Sequence, residues 1–255
     1  MKIRARQITL ILLILQLSLS SCLQKLVLNN LGALEDNVQL KFITNGNKKI
    51  VFMPMHHVGK TSFYDDARNK IDSLMSIGYI VYYENVRMLV KDSLQKDTIY
   101  RKARKITGVD FFTALNNKGY IDTSKNTLMG KKTKYIAKYK LVNQSHTMFP
   151  TFDSLRVKNV DANFAQLISA CENKYGTIVL EKYDFETKFG EKYKHKKEKG
   201  IYEYFLTGFR NTIISSTIIN DKNNKIIIVF GSKHFDGILE NLIAADKNYK
   251  QVDKF

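Results

Sequence analysis

Three residues that could act together chemically each follow an apolar stretch of the sequence. They are His57, Glu84 and His234. Two neutral imidazoles and one carboxylate form a set that can hold a divalent ion and leave coordination positions open for water. Water bound in this way becomes a nucleophile near neutral pH. The residue types therefore indicate metal-assisted hydrolysis, provided that the fold brings the three side chains together.

His234 belongs to a pattern typical of a strand, a tight turn and a helix. Residues 226–230 are all apolar and mostly β-branched, as in a strand buried on both faces, and an amphipathic helical pattern begins at Asp236. Gly231 would let the chain turn sharply, which makes it a secondary candidate for the site. Because ligands bind at the carboxyl ends of strands in open α/β sheets, His234 is predicted to face a crevice. A structural histidine with satisfied hydrogen bonds is the alternative.

An earlier part of the sequence repeats this arrangement. Apolar residues 50–53 lead into His56 and His57, a helical stripe follows, and the apolar run 79–83 ends at Glu84. This length fits a right-handed βαβ crossover with parallel strands, which would make His57 and Glu84 neighbours at one sheet edge. A buried carboxylate there needs a metal, an arginine or a histidine as its partner. His56 is a secondary candidate.

A helical pattern over residues 201–219 carries Arg210 and Asn211. Arg210 lies close to the apolar face of this helix, so its guanidinium either extends to solvent or enters a polar pocket. In a pocket, its fixed fork of donors could stabilise an oxyanion or bind a substrate carboxylate.

Two other segments lead to structural expectations. Cys171 shares the apolar face of a predicted helix, so we expect a buried structural thiol rather than a nucleophile. Residues 135–142 are expected to form a strand.

The N-terminus has the features of an export signal. A basic start is followed by the apolar residues 8–19, which are too few for a bilayer-spanning helix. The Leu-Ser-Ser-Cys sequence ending at Cys22 resembles the lipobox of bacterial lipoproteins, in which the cysteine is acylated. We therefore expect a signal peptide over 1–21, a tether and early strand over 22–45, an α/β domain over 46–255, and a location in the cell envelope. An uncleaved anchor or an ordinary signal peptide is the alternative.

The charge of the chain is strongly positive. Its formal net charge is +17, and removal of the three basic residues of the signal peptide leaves +14. The excess lies largely at residues 131–140 and 188–200, which we interpret as solvated loops. We expect no nucleic-acid partner for an exported, lipid-anchored chain, and anionic lipid headgroups are the nearer partner.

Together these motifs resemble the TraB/PrgY/GumN family, which is grouped with the Tiki metalloproteases, erythromycin esterase (EreA) and the haem-binding lipoprotein ChaN. The family pattern pairs two Gly-x-x-His motifs with a glutamate and an arginine. Its counterparts here are Gly231 to His234, Glu84, the pair Arg210 and Asn211, and the ending His57-Val58-Gly59 of the first motif. Pro54 stands where the first glycine of the family belongs.

The resemblance covers residues 48–85 and 208–242. It implies a mostly parallel sheet flanked by helices, with two βα units that carry histidines at the strand carboxyl ends. It also implies a divalent ion (manganese, cobalt or zinc) held by His57, His234 and Glu84, with Glu84, Arg210 and Asn211 in catalysis. The substrate would be a peptide or protein.

Two other functions are left open. The chain could be a non-catalytic binding lipoprotein like ChaN, with haem held by one of its 14 tyrosines. Alternatively, it could be an inactive family member, for which Pro54 is the main indication.

Overall fold

The computed structural model describes residues 25–116, 120–128, 131–145, 155–196 and 198–255. The predicted signal peptide and Cys22 lie outside these residues. The chain divides into two compact units. The smaller unit comprises Met1–Asn37, His56–Asp66 and Tyr120–Met148, and the larger unit comprises Val38–Met55, Ala67–Gly119 and Phe149–Phe255. Among the described helices, none is both long and apolar enough to cross a membrane.

Runs of strands and runs of helices follow one another along the chain. The strands are β1 (Lys41–Thr44), β2 (Lys49–Met55), β3 (Val58–Lys60), β4 (Ile80–Tyr83), β5 (Ile121–Asp122), β6 (Thr127–Leu128), β7 (Lys131–Lys132), β8 (Leu141–Asn143), β9 (Val157–Asn159), β10 (Lys225–Gly231) and β11 (Lys250–Val252). The labelled helices are α1 (Thr61–Ser76), α2 (Ser93–Thr107), α3 (Phe111–Asn116), α4 (Tyr135–Tyr139), α5 (Phe164–Tyr175), α6 (Lys182–Glu186), α7 (Lys199–Glu203), α8 (Phe209–Asn220) and α9 (Phe235–Ala245). A π-helical turn (Tyr204–Gly208) precedes α8, a 3₁₀ turn (Ser232–His234) precedes α9, and residues 25–30 are also helical.

A six-stranded sheet forms the centre of the larger unit, in the order β11-β1-β2-β10-β4-β9. The strands β2, β10, β4 and β9 run parallel, and β1 and β11 add an antiparallel edge. Apolar side chains of α8 and α9, including Ile214, Ile218, Ile238 and Leu242, pack with sheet residues in one fully buried cluster. The predicted α/β class, with a mostly parallel sheet flanked by helices, is therefore confirmed.

The strand β10 lies between β2 and β4, so the two strands of the predicted early crossover do not pair with each other. The uniformly apolar run of β10 explains this position, because its residues from Ile226 to Phe230 are at most 1% exposed. Such a strand is stable only where neighbouring strands and both faces cover it. The carboxyl ends of β2, β10 and β4 still share one edge of the sheet.

The helix α5 has the predicted buried face. Phe164, Leu167, Ile168 and Cys171 are all buried, and Cys171 is a free thiol. Burial, together with the charge of Glu172, raises the pKa of the Cys171 thiol to about 11. Since the thiolate is the nucleophilic form, this cysteine is suited to packing and not to catalysis.

The smaller unit contains two short sheets. The strands β3 and β8 pair antiparallel, and β5, β6 and β7 form a meander. Its apolar cluster includes Leu28, Ile121, Ile136 and Leu141. The prediction of a strand over residues 135–142 is wrong for most of that range, because α4 occupies residues 135–139. Lys140 has a φ of 52°, and this left-handed residue ends the helix before β8 begins.

The loop after α8 is tied to the sheet through Asp221, which gives a prediction for the pH dependence of stability. Asp221 accepts hydrogen bonds from the Tyr82 hydroxyl, from the backbone N–H of Asn223 at 2.8 Å and from Lys158 Nζ at 3.2 Å. Burial raises the pKa of Asp221, but these bonds outweigh it and hold the pKa below the usual range. Because the folded-state pKa is depressed, the stabilisation is present above the unfolded-state pKa of about 3.9 and is lost as the pH falls.

We therefore expect Asp221→Asn to lower the free energy of unfolding by about 1–2 kcal/mol at pH 7. The difference from wild type should shrink as the pH falls below about 4, where Asp221 of the unfolded chain becomes protonated. Urea unfolding between pH 7 and pH 3 measures both quantities. The exposed Asp253→Asn serves as the control. If the difference in unfolding free energy between wild type and Asp221→Asn stays constant or widens in acid, this account is contradicted.

Candidate functional site

The carboxyl ends of three adjacent parallel strands carry a cluster of polar residues. Glu84 follows β4 directly, Asp161 follows β9, and Gly231 ends β10. His234 closes the 3₁₀ turn after β10. These residues therefore meet at the edge where open α/β sheets bind their ligands.

Glu84 is held through both carboxylate oxygens. Its Oε2 accepts the backbone N–H of Gly231 at 2.7 Å, and its Oε1 accepts Arg210 Nη2 at 2.6 Å. Burial would raise the pKa of Glu84, but the charge of Arg210, the proximity of His234 and the two hydrogen bonds lower it to about 2. Glu84 is therefore ionised at neutral pH. A Cβ at position 231 would lie 3.4 Å from Oε2, at the near limit of ordinary van der Waals contact.

Arg210 enters a polar pocket and does not extend to solvent. Its Nε and Nη2 donate to the two carboxylate oxygens of Asp161 at 2.8 and 2.7 Å, and its Nη1 donates to the Leu206 carbonyl at 2.9 Å. Arg210 is 7% exposed, and the Asp161 side chain is fully buried. The two carboxylates raise the pKa of Arg210, whereas burial raises the pKa of Asp161.

Asp161 was not predicted from the sequence. Asp161 stands two residues after β9, whose sequence Val-Lys-Asn lacks the apolar run that singled out Glu84. The short strand β9 has only three residues, and its periodicity is too brief to identify it as a sheet strand.

The helix predicted over residues 201–219 is interrupted next to Arg210. The π-helical turn separates α7 from α8, and the N–H of Phe209 bonds to the Tyr204 carbonyl across this wide turn. The Leu206 carbonyl in the turn accepts the Arg210 side chain. Such turns are frequent at functional sites because they release backbone groups for other contacts.

His234 is fixed by the neighbouring helix α8. Its Nδ1 lies 2.6 Å from Asn211 Oδ1, and its Nε2 lies 4.0 Å from Glu84 Oε1. Burial and the charge of Arg210 lower the pKa of His234 to about 4, against the opposing effect of Glu84. The imidazole is therefore neutral at pH 7. Because Asn211 Oδ1 accepts a hydrogen bond from the N–H of Nδ1, the free lone pair of the ring lies on Nε2, on the side of Glu84.

Gly237 gives Asn211 the space it needs, and this predicts the effect of a small substitution. A Cβ at position 237 would overlap Asn211 Nδ2. We expect Gly237→Ala to displace Asn211 from His234 and to lower the free energy of unfolding by about 1–3 kcal/mol, despite the higher helix propensity of alanine. Chemical denaturation measures the loss, and imidazole NMR of His234 reports the broken contact.

Gly200→Ala is the matched control, because a Cβ there would make only ordinary contacts, the nearest at 3.6 Å from Tyr175. It should leave stability unchanged or raise it. Equal effects of the two substitutions would show that helix propensity, and not the contact with Asn211, decides the result.

The two earlier histidines belong to the smaller unit. His57 is exposed, and its ring stacks on Tyr120 with the centroids 5.2 Å apart. His56 is partly buried, with its Nε2 3.5 Å from Glu35 Oε2 and its ring against Gly32. The larger unit thus brings together Glu84, Arg210, Asn211, Gly231 and His234, the other predicted site residues apart from Cys22.

The donor set of the larger unit suits a cation in part. Two carboxyl groups, Glu84 and Asp161, lie beside one guanidinium and a neutral imidazole, and burial raises the pKa of Asp161. Among the described residues, no group of three or more histidine, cysteine, aspartate or glutamate side chains is arranged to hold a metal ion. Glu84 and His234 therefore supply two donors, and water or a further residue would have to supply the others.

Comparisons with known proteins do not extend this description. No family model, curated protein or solved structure matches the chain.

Proposed function

We propose that this chain is a membrane-anchored, metal-dependent hydrolase of peptide or amide bonds, of the TraB/PrgY/GumN type that its motifs resemble. The observation that supports this best is the pairing of Glu84 and His234. Both residues lie at the carboxyl edge of the sheet, and His234 presents Nε2 4.0 Å from a Glu84 oxygen. Lipid attachment at Cys22 is part of the proposal.

The protonation states of the pair favour metal binding. Metal ligands must be deprotonated, and both groups are already in that form at neutral pH, with pKa values of about 2 for Glu84 and about 4 for His234. General bases work best with a pKa near the operating pH, so these low values favour coordination over proton transfer. The contact from Asn211 to Nδ1 is the orienting hydrogen bond that metal-binding histidines require.

A divalent ion held here would supply a water molecule of lowered pKa as the nucleophile. The residues of the chain position the ligands. Glu84 and His234 orient the donor atoms, and Asn211 fixes the tautomer of His234. The ionised Glu84 carboxylate would attract the cation, and its hydrogen bonds with Arg210 and Gly231 would keep this ligand in place.

Arg210 has a positioning role in this proposal. Its Nη2 and Nε bind Asp161 and Glu84, and its Nη1 has one bond to Leu206, so the described contacts leave one N–H for a substrate. Its main effect is therefore to hold Glu84 ionised and in place. The oxyanion role expected from the sequence would depend on that single N–H.

The resemblance also implies His57 as a ligand. His57 lies in the smaller unit. Its role as a metal ligand stays a prediction, which metal titration of His57→Ala tests.

The decisive experiment is metal binding by residues 23–255, which include every described element. Calorimetric titration with manganese, cobalt and zinc ions should show one site in wild type and a loss of binding in His234→Ala. His195→Ala is the control, because that ring contacts the Ile106 carbonyl in another part of the larger unit. A peptide library with added metal then tests hydrolysis.

Three results would contradict the proposal. Metal binding that survives His234→Ala would place the ion elsewhere. Metal binding without cleavage of any peptide would favour an inactive family member. No metal binding, together with Soret absorbance after haem addition, would favour the binding lipoprotein.

A further inference from the structure

The start of the described chain exposes a set of large aliphatic side chains. Residues 25–30 are helical, and Leu26, Val27 and Leu31 are 55%, 46% and 59% exposed. We call these three residues the N-terminal apolar face. Leu28, between them in sequence, is 1% exposed and belongs to the apolar cluster of the smaller unit. One side of this short helix is thus anchored in the fold, while the exposed side carries these three apolar side chains beside the polar residues Lys25, Asn29 and Asn30.

The N-terminal apolar face is held in a defined position. The N–H of Leu31 bonds to the Val27 carbonyl at 3.0 Å, so these two side chains are neighbours one turn apart. Gly32 then ends the helix in the left-handed region with a φ of 71°, and the N–H of Ala33 returns to the Leu28 carbonyl at 2.9 Å. Gly32 also packs so closely on His56 that any Cβ there would overlap the ring.

The distance to the proposed lipid anchor indicates what covers this face. Leu26 is only four residues after Cys22, and a fully extended chain of four residues spans at most about 14 Å. With Cys22 acylated, Leu26 therefore lies within that distance of the lipid. Lys25 precedes the face, as is common where a short amphipathic helix lies at an anionic membrane surface.

We propose that the N-terminal apolar face inserts into the interfacial region of the lipid bilayer. The folded smaller unit would then make a second, non-covalent contact with the membrane beside the acyl chains. This inference rests on the lipid anchor of the proposed function, but not on the hydrolase activity. It is tested without the anchor, so that a failure of acylation and a failure of insertion are distinguished.

The absence of tryptophan from the sequence allows a direct test. Leu31→Trp introduces a single tryptophan into the N-terminal apolar face. The variant is made in residues 23–255, which lack Cys22 and therefore cannot be acylated there. With phosphatidylcholine and phosphatidylglycerol vesicles, we expect a blue shift of its emission and quenching by brominated lipid. Leu94→Trp is the control, because Leu94 is 78% exposed in the larger unit and should show neither effect.

A second measurement is vesicle partitioning of a triple variant. Replacement of Leu26, Val27 and Leu31 by serine should lower partitioning roughly tenfold or more, since three large apolar side chains lose their burial in lipid. The matched control replaces Leu89, Leu94 and Val179, which are 57%, 78% and 67% exposed and include the same residue types. It should partition like wild type.

Three outcomes would overturn the proposal. Equal partitioning of both triple variants would show that binding depends on charge alone. A blue shift in Leu31→Trp that grows with protein concentration in the absence of vesicles would assign the face to a second copy of the chain. An emission already blue-shifted in dilute protein, and unchanged by vesicles, would show that the protein itself covers the face.

Discussion

Asp161→Ala is expected to destabilise the larger unit by about 2–4 kcal/mol. The substitution removes the two charge-assisted bonds from Asp161 to Arg210, and the Arg210 guanidinium stays 7% exposed with Glu84 as its remaining carboxylate partner. Taking a charge out of water is costly unless its donors are satisfied, and the energy of the lost bonds is not recovered from solvent in a closed pocket. Urea unfolding at pH 7 measures the loss.

A double variant separates this mechanism from simple loss of packing. Asp161→Ala and Arg210→Met each remove the same two bonds between Asp161 and Arg210, so the double variant should lose less stability than the sum of the two single variants, although Glu84 also loses its arginine partner. Glu172→Ala is the control, since its partner Lys102 is 19% exposed and Glu172 itself is 24% exposed. This partly exposed pair, together with the bond from the Ile178 N–H to Glu172, should contribute about 1–2 kcal/mol. Strictly additive effects of the two site substitutions would contradict the account.

Asn211→Ala is expected to weaken metal binding by residues 23–255 roughly 10–100-fold, while His234→Ala abolishes it. Without Asn211 Oδ1 at 2.6 Å, the His234 ring loses the partner that fixes its tautomer and direction. The proton is then free to occupy Nε2, the atom that faces Glu84. Calorimetric titration with each ion measures the change.

Ser215→Ala is the matched control for Asn211→Ala. Ser215 lies one turn further along α8, is also buried, and donates to the Ile238 carbonyl of α9 at 3.4 Å. Its loss should lower stability slightly and leave metal affinity unchanged. If both variants bind metal equally well, Asn211 has only a structural role. If both lose affinity equally, the effect comes from a general disturbance of α8.

The segment from β10 to α9 could be predicted from the sequence because its signals are local. A uniformly apolar run, a glycine and an amphipathic stripe identify a strand, a turn and a helix without reference to the rest of the chain. The position of β10 within the sheet could not be predicted in the same way. Its pairing with β2 and β4 depends on competition among several apolar strands, and periodicity carries no information on that choice.

The contacts at the candidate site could not be fully predicted from the sequence for the same reason. The types of Glu84, Arg210 and His234 showed that each needed a partner, but the partner of Arg210 came from a distant segment that ends at Asp161. The π-helical turn was hidden because its residues also satisfy an ordinary helical pattern. In the smaller unit, the apolar residues of α4 resemble a strand, and only the left-handed Lys140 distinguishes the two.

The central place of β10 has a consequence for how the chain acquires its structure. β10 follows β2, β4 and β9 in the sequence, yet its residue Lys225 pairs with Lys49, which lies 176 residues earlier. Until β10 emerges, β2 and β4 lack the strand that joins them, so the parallel sheet cannot close on a growing chain. Pairing at such sequence separation is slow, because the loop-closure entropy must be paid first. We therefore expect the parallel sheet of the larger unit to form only after β10 has been synthesised.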